Sequence, residues 1–157
     1  MGEQRTAQRW VDVPTSTVSA AGADIVYREL GPRTGVPLVA LTHLGANLDD
    51  WDPRIMDGLA EERHVVAIGY RGVGGSTGQV QGTIESMAAD VVAALEALGH
   101  ERVDLFGQSM GGMVAQAVAV PDAGHGAVAQ HGRQVVAMML DHLRRPSTTH
   151  HDQEKTP

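Results

Sequence analysis

Eleven residues, Val103-Asp104-Leu105-Phe106-Gly107-Gln108-Ser109-Met110-Gly111-Gly112-Met113, constrain this chain more than any other stretch. The short apolar run Val103–Phe106 reads as a strand, and the small residues after Gly111 read as a helix. Between them Gly107-Gln108-Ser109-Met110-Gly111 has the G-x-S-x-G spacing of a sharp strand-to-helix turn that lifts a serine hydroxyl above a sheet. Such a turn brings the chain close to itself two residues before and two residues after the serine, and only the smallest side chains fit there. Gly107 and Gly111 stand at those positions. The helix start also aims backbone N–H groups and the positive end of the helix dipole at the serine, which suits a developing oxyanion. Ser109 is therefore a candidate nucleophile, and the Met110 N–H a candidate oxyanion donor.

With 157 residues the chain has enough material for one domain with a modest core. It has no cysteine, which excludes a disulfide framework, a thiolate metal site and a cysteine nucleophile. A reducing cytoplasm is the simplest compartment for such a chain. The formal charge of −7 is spread along the sequence, with no basic cluster of the kind nucleic acid requires. No apolar run reaches membrane-spanning length, and the first residues lead into no apolar signal segment. Aromatic residues make up only 3%, so the core must be built from small and flexible side chains.

In chain order, residues 1–14 read as a polar, flexible arm, and residues 15–145 as a single domain. Thr15–Ser19 and Ile25–Leu30 are β-type runs joined by a hairpin turn through Ala20–Asp24. Pro37–Leu41 and His64–Ile68 are continuous apolar runs expected as buried strands, with a short helix over Arg54–Ala60 between them. Asp49, Asp50 and Asp52 read as helix-entry caps around Trp51, and His43 as a hydrogen-bonded residue at a strand end. Gly69–Gly78 holds a cluster of glycines that tempts a dinucleotide-binding reading. The spacing opposes it, because Thr77 stands where the third glycine belongs and no helix opens from the cluster. Thr83 begins an amphipathic helix with Ile84, Met87, Ala88, Val91, Val92, Leu95 and Leu98 on its apolar face, and Gly99 ends it. Strand and helix alternate, so a mostly parallel twisted sheet with helices on both faces is expected. Ligands of such sheets bind at the carboxyl ends of the strands, where Ser109, His43 and the Gly72–Gly78 loop all fall.

Four landmarks in this order, Thr42-His43-Leu44-Gly45 with Trp51, Arg71-Gly72-Val73-Gly74-Gly75-Ser76, Gly107-Gln108-Ser109-Met110-Gly111-Gly112 and Pro121-Asp122-Ala123-Gly124-His125-Gly126, resemble an α/β-hydrolase. The likeness is to the branch of small esterases, cofactor-free haloperoxidases and epoxide hydrolases, and it covers about Thr15 to Arg144. It implies a serine nucleophile, Ser109, a late histidine base, His125, and an oxyanion hole from the Leu44 and Met110 N–H groups, with no metal and no cofactor. The implied substrate is an ester-like small molecule. Family members commonly carry a charged or amide pair before the Arg-Gly, and Gly69-Tyr70 in its place is expected to loosen that turn.

A larger departure lies near 118–121. The family has further strands, a lid and the strand bearing the catalytic acid between elbow and late histidine, whereas here Ala115–Val120 runs directly into Pro121-Asp122. The result resembles a truncated α/β-hydrolase fold, closed by a last helix through Val128–Leu143 and followed by a polar tail over 146–157. Two routes from Ser109 to His125 follow. In one, the elbow helix is short and Val118–Val120 forms a strand; in the other, the helix continues to Val120. The orienting acid is open among Asp122, Asp49, Asp50 and Asp52, and weak activity is expected without it. The other histidines do not suggest a metal: His131 and His142 are eleven residues apart, about three helical turns, too far to share an ion. A rival expectation is a non-catalytic remnant that self-associates as a homodimer through an exposed sheet edge.

Overall fold

The computed structural model describes residues 8–119. Five strands, β1 (Ser16–Ala20), β2 (Ala23–Leu30), β3 (Leu38–Leu41), β4 (Val65–Ile68) and β5 (Asp104–Gly107), form one sheet in the order β1-β2-β4-β3-β5. Helices α1 (Pro53–Ala60), α2 (Ile84–Ala97) and α3 (Met110–Ala119) follow β3, β4 and β5 in turn. β1 is antiparallel to β2 and β2 to β4, whereas β3 is parallel to both of its neighbours. Four strands thus point the same way and β2 alone is reversed, a consequence of the two-residue turn at Ala21-Gly22. Both turn residues have positive φ, +50° and +77°, as the twist of a tight hairpin demands.

Alternation along the central strands divides the core. Val39, Leu41, Val66 and Ile68 face α2 and α3, packing with Met87, Val91, Ala94, Met110 and Val114. Ala40, Val65 and Ala67 face the other way, against Met56 of α1 and the indoles of Trp10 and Trp51. Residues fully buried on both faces explain why β3 and β4 read as unbroken apolar runs. α2 opens where Thr83 Oγ1 accepts from the Ser86 N–H at 3.1 Å. It closes at Gly99, φ +79°, with the His100 N–H donating to the Leu95 carbonyl at 2.9 Å.

Two expectations are corrected and one open alternative is decided. The N-terminal arm is anchored from Trp10 onward: Trp10 is 2% exposed, its N–H donates to Asp57 Oδ1 at 2.6 Å, and Val13 is buried beside it. An indole buries more apolar area than any other side chain, and in a chain this poor in aromatics the core recruits it. On α2, Val92 faces outward and Ala94 is buried, so the apolar stripe runs through Met87, Val91, Ala94 and Leu95. Of the two routes beyond Ser109, the helical one holds as far as Ala119: Val118 and Ala119 belong to α3. Met110, Val114, Ala117 and Val118 recur at helical spacing and pack in the cluster that α2 lines, and that contact keeps the segment helical. The expected last helix and the tail over 146–157 lie outside the described residues.

Candidate active site

β3 feeds α1 on one face of the sheet and β5 feeds α3 on the other, so the chain diverges at the carboxyl ends of these two neighbouring strands. Divergence of this kind opens a crevice above the sheet, the place where ligands of open α/β sheets bind. The Ser109 turn follows β5 and the Thr42–Ala46 loop follows β3, so both lie at this rim.

On the β5 side, Ser109 is an exposed non-glycine residue with φ +54°, the left-handed region that L side chains rarely enter. The neighbouring glycines make the turn possible. A Cβ on Gly107 would stand 2.3 Å from the Gly111 carbonyl oxygen, and one on Gly111 would stand 2.1 Å from the Leu41 carbonyl oxygen. Gly112 is different, with its nearest atom, the Gly107 oxygen, at an ordinary 3.5 Å. The turn is bonded to β3 by the Gln108 N–H, which donates to the Leu41 carbonyl at 3.0 Å. Inside it, the Gly111 and Gly112 N–H groups donate to the Gln108 and Ser109 carbonyls at 2.9 and 2.8 Å. Among the described residues the Met110 N–H has no acceptor, while the Met110 side chain is buried and fixes the helix start.

On the β3 side, the Ala46 N–H donates to the His43 carbonyl at 3.3 Å, closing a turn in which Gly45 supplies φ +75°. Leu44 projects from that turn, 72% exposed, and its N–H likewise has no acceptor among the described residues. His43 is half-buried, and its Nδ1–H donates to the Leu44 carbonyl at 3.1 Å, the hydrogen-bonded role expected of it. Tyr70, buried at the end of β4, donates its hydroxyl to the Thr42 carbonyl at 3.1 Å. Burial pushes the Tyr70 phenol well above its ordinary pKa, so it remains a donor.

Two of the three aspartates near Trp51, Asp50 and Asp52, act as caps. Asn47 Oδ1 accepts from the Asp49 N–H, and Asp50 reaches back to the Asn47 N–H at 2.8 Å. Asp49 pairs with Arg28 at 2.6 Å. Asp52 caps α1 and binds Arg54, whose side-chain hydrogen bond lowers the carboxyl to about 2. All three carboxylates are engaged in local bonds. His125 and Asp122 lie outside the described residues.

The glycine cluster beyond β4 folds tightly onto β2. Ser76 Oγ accepts from the Val26 N–H at 3.0 Å and Thr77 Oγ1 from the Asp24 N–H at 2.8 Å. Arg71 holds Asp90 with two bonds, 2.8 and 2.7 Å, and Gln81 adds a third at 3.0 Å. Nor is the Gly69-Tyr70 pair loose, as had been expected: a Cβ on Gly69 would stand 2.9 Å from Val26 Cγ2, and the Tyr70 ring is buried. The small residue lets the chain pass against β2 and turns the phenol inward. Sequence reasoning missed both the Tyr70–Thr42 bond and the Arg71–Asp90 pair. One signal existed, since an aspartate within the apolar stripe of α2 requires a buried partner.

Comparison with known proteins agrees with this geometry. The profile of the alpha/beta hydrolase fold family matches residues 36–142. The chain belongs to that family. It is 34% identical over 111 residues to a non-heme chloroperoxidase of Streptomyces lividans, an alignment covering 69% of this chain and 40% of the relative. It is 38% identical over 93 residues to a bifunctional esterase/perhydrolase of Acinetobacter calcoaceticus, covering 58% of this chain and 33% of that one. An alpha/beta hydrolase fold protein from Chitinophaga pinensis superposes with a TM-score of 0.69 at 28% identity, covering 84% of this chain and 53% of that structure. The chain thus spans well under half the length of these curated relatives. Among the described residues, no helix is long and apolar enough to cross a membrane.

Proposed function

We propose that the chain is a serine hydrolase of ester-like small molecules, and that Ser109 is its nucleophile. The observation carrying this reading is the strained, exposed serine, φ +54°, between two glycines that admit no Cβ. Strain at a polar, exposed residue is retained where the surroundings hold it for a purpose. In the reaction, Ser109 Oγ attacks the ester carbonyl while His125 takes the hydroxyl proton. The Leu44 and Met110 N–H groups receive the oxyanion, and collapse of the intermediate expels the alcohol, which leaves with the proton from His125. Water, deprotonated by the same histidine, then releases the acid and restores Ser109. No metal or cofactor enters the scheme. The esterase and haloperoxidase relatives support the reaction class.

Chain length sets the condition on His125. α3 carries the chain about 15 Å away from Ser109 over ten residues at 1.5 Å each. His125 follows Ala119 by six residues, a reach of at most about 20 Å. The tether permits a return to the serine only when nearly extended. Asp49, Asp50 and Asp52 are committed to caps and ion pairs, which leaves Asp122 as the local candidate to orient the histidine. A serine–histidine pair without an orienting acid loses about four orders of magnitude in turnover, so weak activity is expected.

Hydrolysis of short-chain p-nitrophenyl esters tests the reading. Wild-type turnover above background, abolished in Ser109→Ala and reduced in His125→Ala, is expected; turnover unchanged by Ser109→Ala contradicts it. The rival reading, self-association through the edge of the sheet, is favoured by one observation: among the described residues β5 pairs only with β3 and is half-exposed along its length. A dimer that survives Ser109→Ala in an inactive protein would favour the rival.

A further inference from the structure

We propose that Tyr70 is the positioning residue of the oxyanion loop, its hydroxyl holding the Thr42–His43 peptide in the orientation that presents the Leu44 N–H to the crevice. The inference rests on the assignment of Ser109 and Leu44 above. β3 and β4 pair only as far as Ala40 and Ala67, and the Leu41 carbonyl is taken by the Gln108 N–H. Thr42 is therefore the first residue past the ladder, and the loop that carries Leu44 hinges on it. Its carbonyl is held from two sides. The Tyr70 hydroxyl donates to it at 3.1 Å, and the Gly111 backbone packs so close that a Cβ there would stand 2.7 Å from the same oxygen. The peptide is planar, so the carbonyl direction also sets the direction of the His43 N–H and the entry into the His43–Ala46 turn.

Nothing else among the described residues anchors this hinge as well. Thr42 Oγ1 is buried without a partner, and the Leu44 side chain is 72% exposed. His43 bonds only within the loop, its ring to the Leu44 carbonyl and its own carbonyl to the Ala46 N–H. Tyr70 is 5% exposed, so its bond is shielded from competing water. Gly69-Tyr70, where the sequence departs from its family's pattern, thus couples the end of β4 to the oxyanion loop on β3. The hydroxyl touches neither substrate nor reacting atoms and acts through the peptide it orients.

Tyr70→Phe removes the hydroxyl and keeps the ring. Amide hydrogen exchange at Ala46, whose N–H closes the turn on the His43 carbonyl, is expected to rise on the order of tenfold while the amides of β3 and β4 keep their protection. With the p-nitrophenyl ester, kcat is expected to fall on the order of tenfold with KM unchanged, because a displaced oxyanion donor is lost in the transition state alone. Unchanged exchange at Ala46, or a raised KM with kcat intact, would overturn the proposal. Should wild type show no Ser109-dependent turnover, the catalytic assignment fails and the exchange data alone decide whether Tyr70 anchors the loop. If Tyr70→Phe does not fold, 3-fluorotyrosine supplies the test. The chain has two tyrosines, so fluorotyrosine in a Tyr27→Phe background alters the donor strength of Tyr70 alone, and loop exchange must shift with it. An unshifted loop refutes the proposal.

Discussion

Two glycine-rich turns leave the strands that flank β3 at the same rim, the Ser109 turn after β5 and the Gly69–Gly78 loop after β4, and they use glycine to opposite ends. In the loop, the left-handed conformations fall on Gly72, Gly74 and Gly78, where they cost least, and the polar groups close on the protein itself. Ser76, Thr77 and Arg71 all bond inward. In the Ser109 turn the glycines have ordinary φ and supply only space, while the left-handed conformation falls on the serine. The Met110 N–H is left without an acceptor among the described residues. What separates a reactive turn from a structural one is which residue carries the strain and where the amides point, and a count of glycines reveals neither.

The sharpest way to break this comparison is to fill the space. Gly111→Ala puts a methyl 2.1 Å from the Leu41 carbonyl oxygen, and backbone cannot yield as a flexible side chain does. We expect a loss of about 4 kcal/mol or more, read as failure to fold or as a collapsed thermal midpoint. Retained stability would mean that the turn and β3 are not packed as described.

The loop has its own weak point in the Arg71–Asp90 pair, both side chains largely buried. Arg71→Ala leaves the Asp90 carboxylate with the Gln81 bond alone and is expected to lower the midpoint of denaturant unfolding. The same pair predicts a pH dependence. Burial pushes the Asp90 carboxyl up, and the hydrogen bonds from Arg71 and Gln81 overcome it, leaving the group below the ordinary carboxylate range. A depressed folded pKa contributes stability that is present above the unfolded value, about 3.9, and lost as pH falls through the folded value. Acid titration of stability should therefore be shallower below pH 4 in Asp90→Asn than in wild type.

Ser109→Gly removes both hydroxyl and strain. Stability is expected to rise by about 1 kcal/mol in thermal unfolding as esterase turnover disappears, an inverse relation that no residue of the Gly69–Gly78 loop should show. The smallest effect belongs to Gly112→Ala, expected to change stability by less than about 0.5 kcal/mol, because its Cβ meets only an ordinary contact. A large loss there would show that the space around Gly107 is tighter than its distances indicate.

Backbone demands were legible in the sequence, and long-range side-chain contacts were not. Gly107 and Gly111 announced the turn because nothing larger fits, Thr83 and Gly99 bounded α2, and the unbroken apolar runs marked β3 and β4 as buried on both faces. The extent of α3 was ambiguous because the Ala and Val run beyond Ala115 suits either strand or helix, and packing beside α2 decides it. Trp10 looked like part of a polar arm since its burial depends on residues such as Met56, far along the chain. Tyr70 read only as a departure from a family pattern, because its partner is a backbone carbonyl that no sequence pattern marks. Of the candidate site, Ser109 and Met110 fall in the turn after β5 and Leu44 in the turn after β3, and His125 lies outside the described residues.

The most direct test is the mass of the protein after exposure to a fluorophosphonate, with peptide mapping of the adduct. The account predicts a single phosphonyl adduct on Ser109, absent from Ser109→Ala and slower to form in His125→Ala. A folded wild-type protein that takes up no probe, or carries it on another residue, would contradict the assignment of Ser109 as the nucleophile.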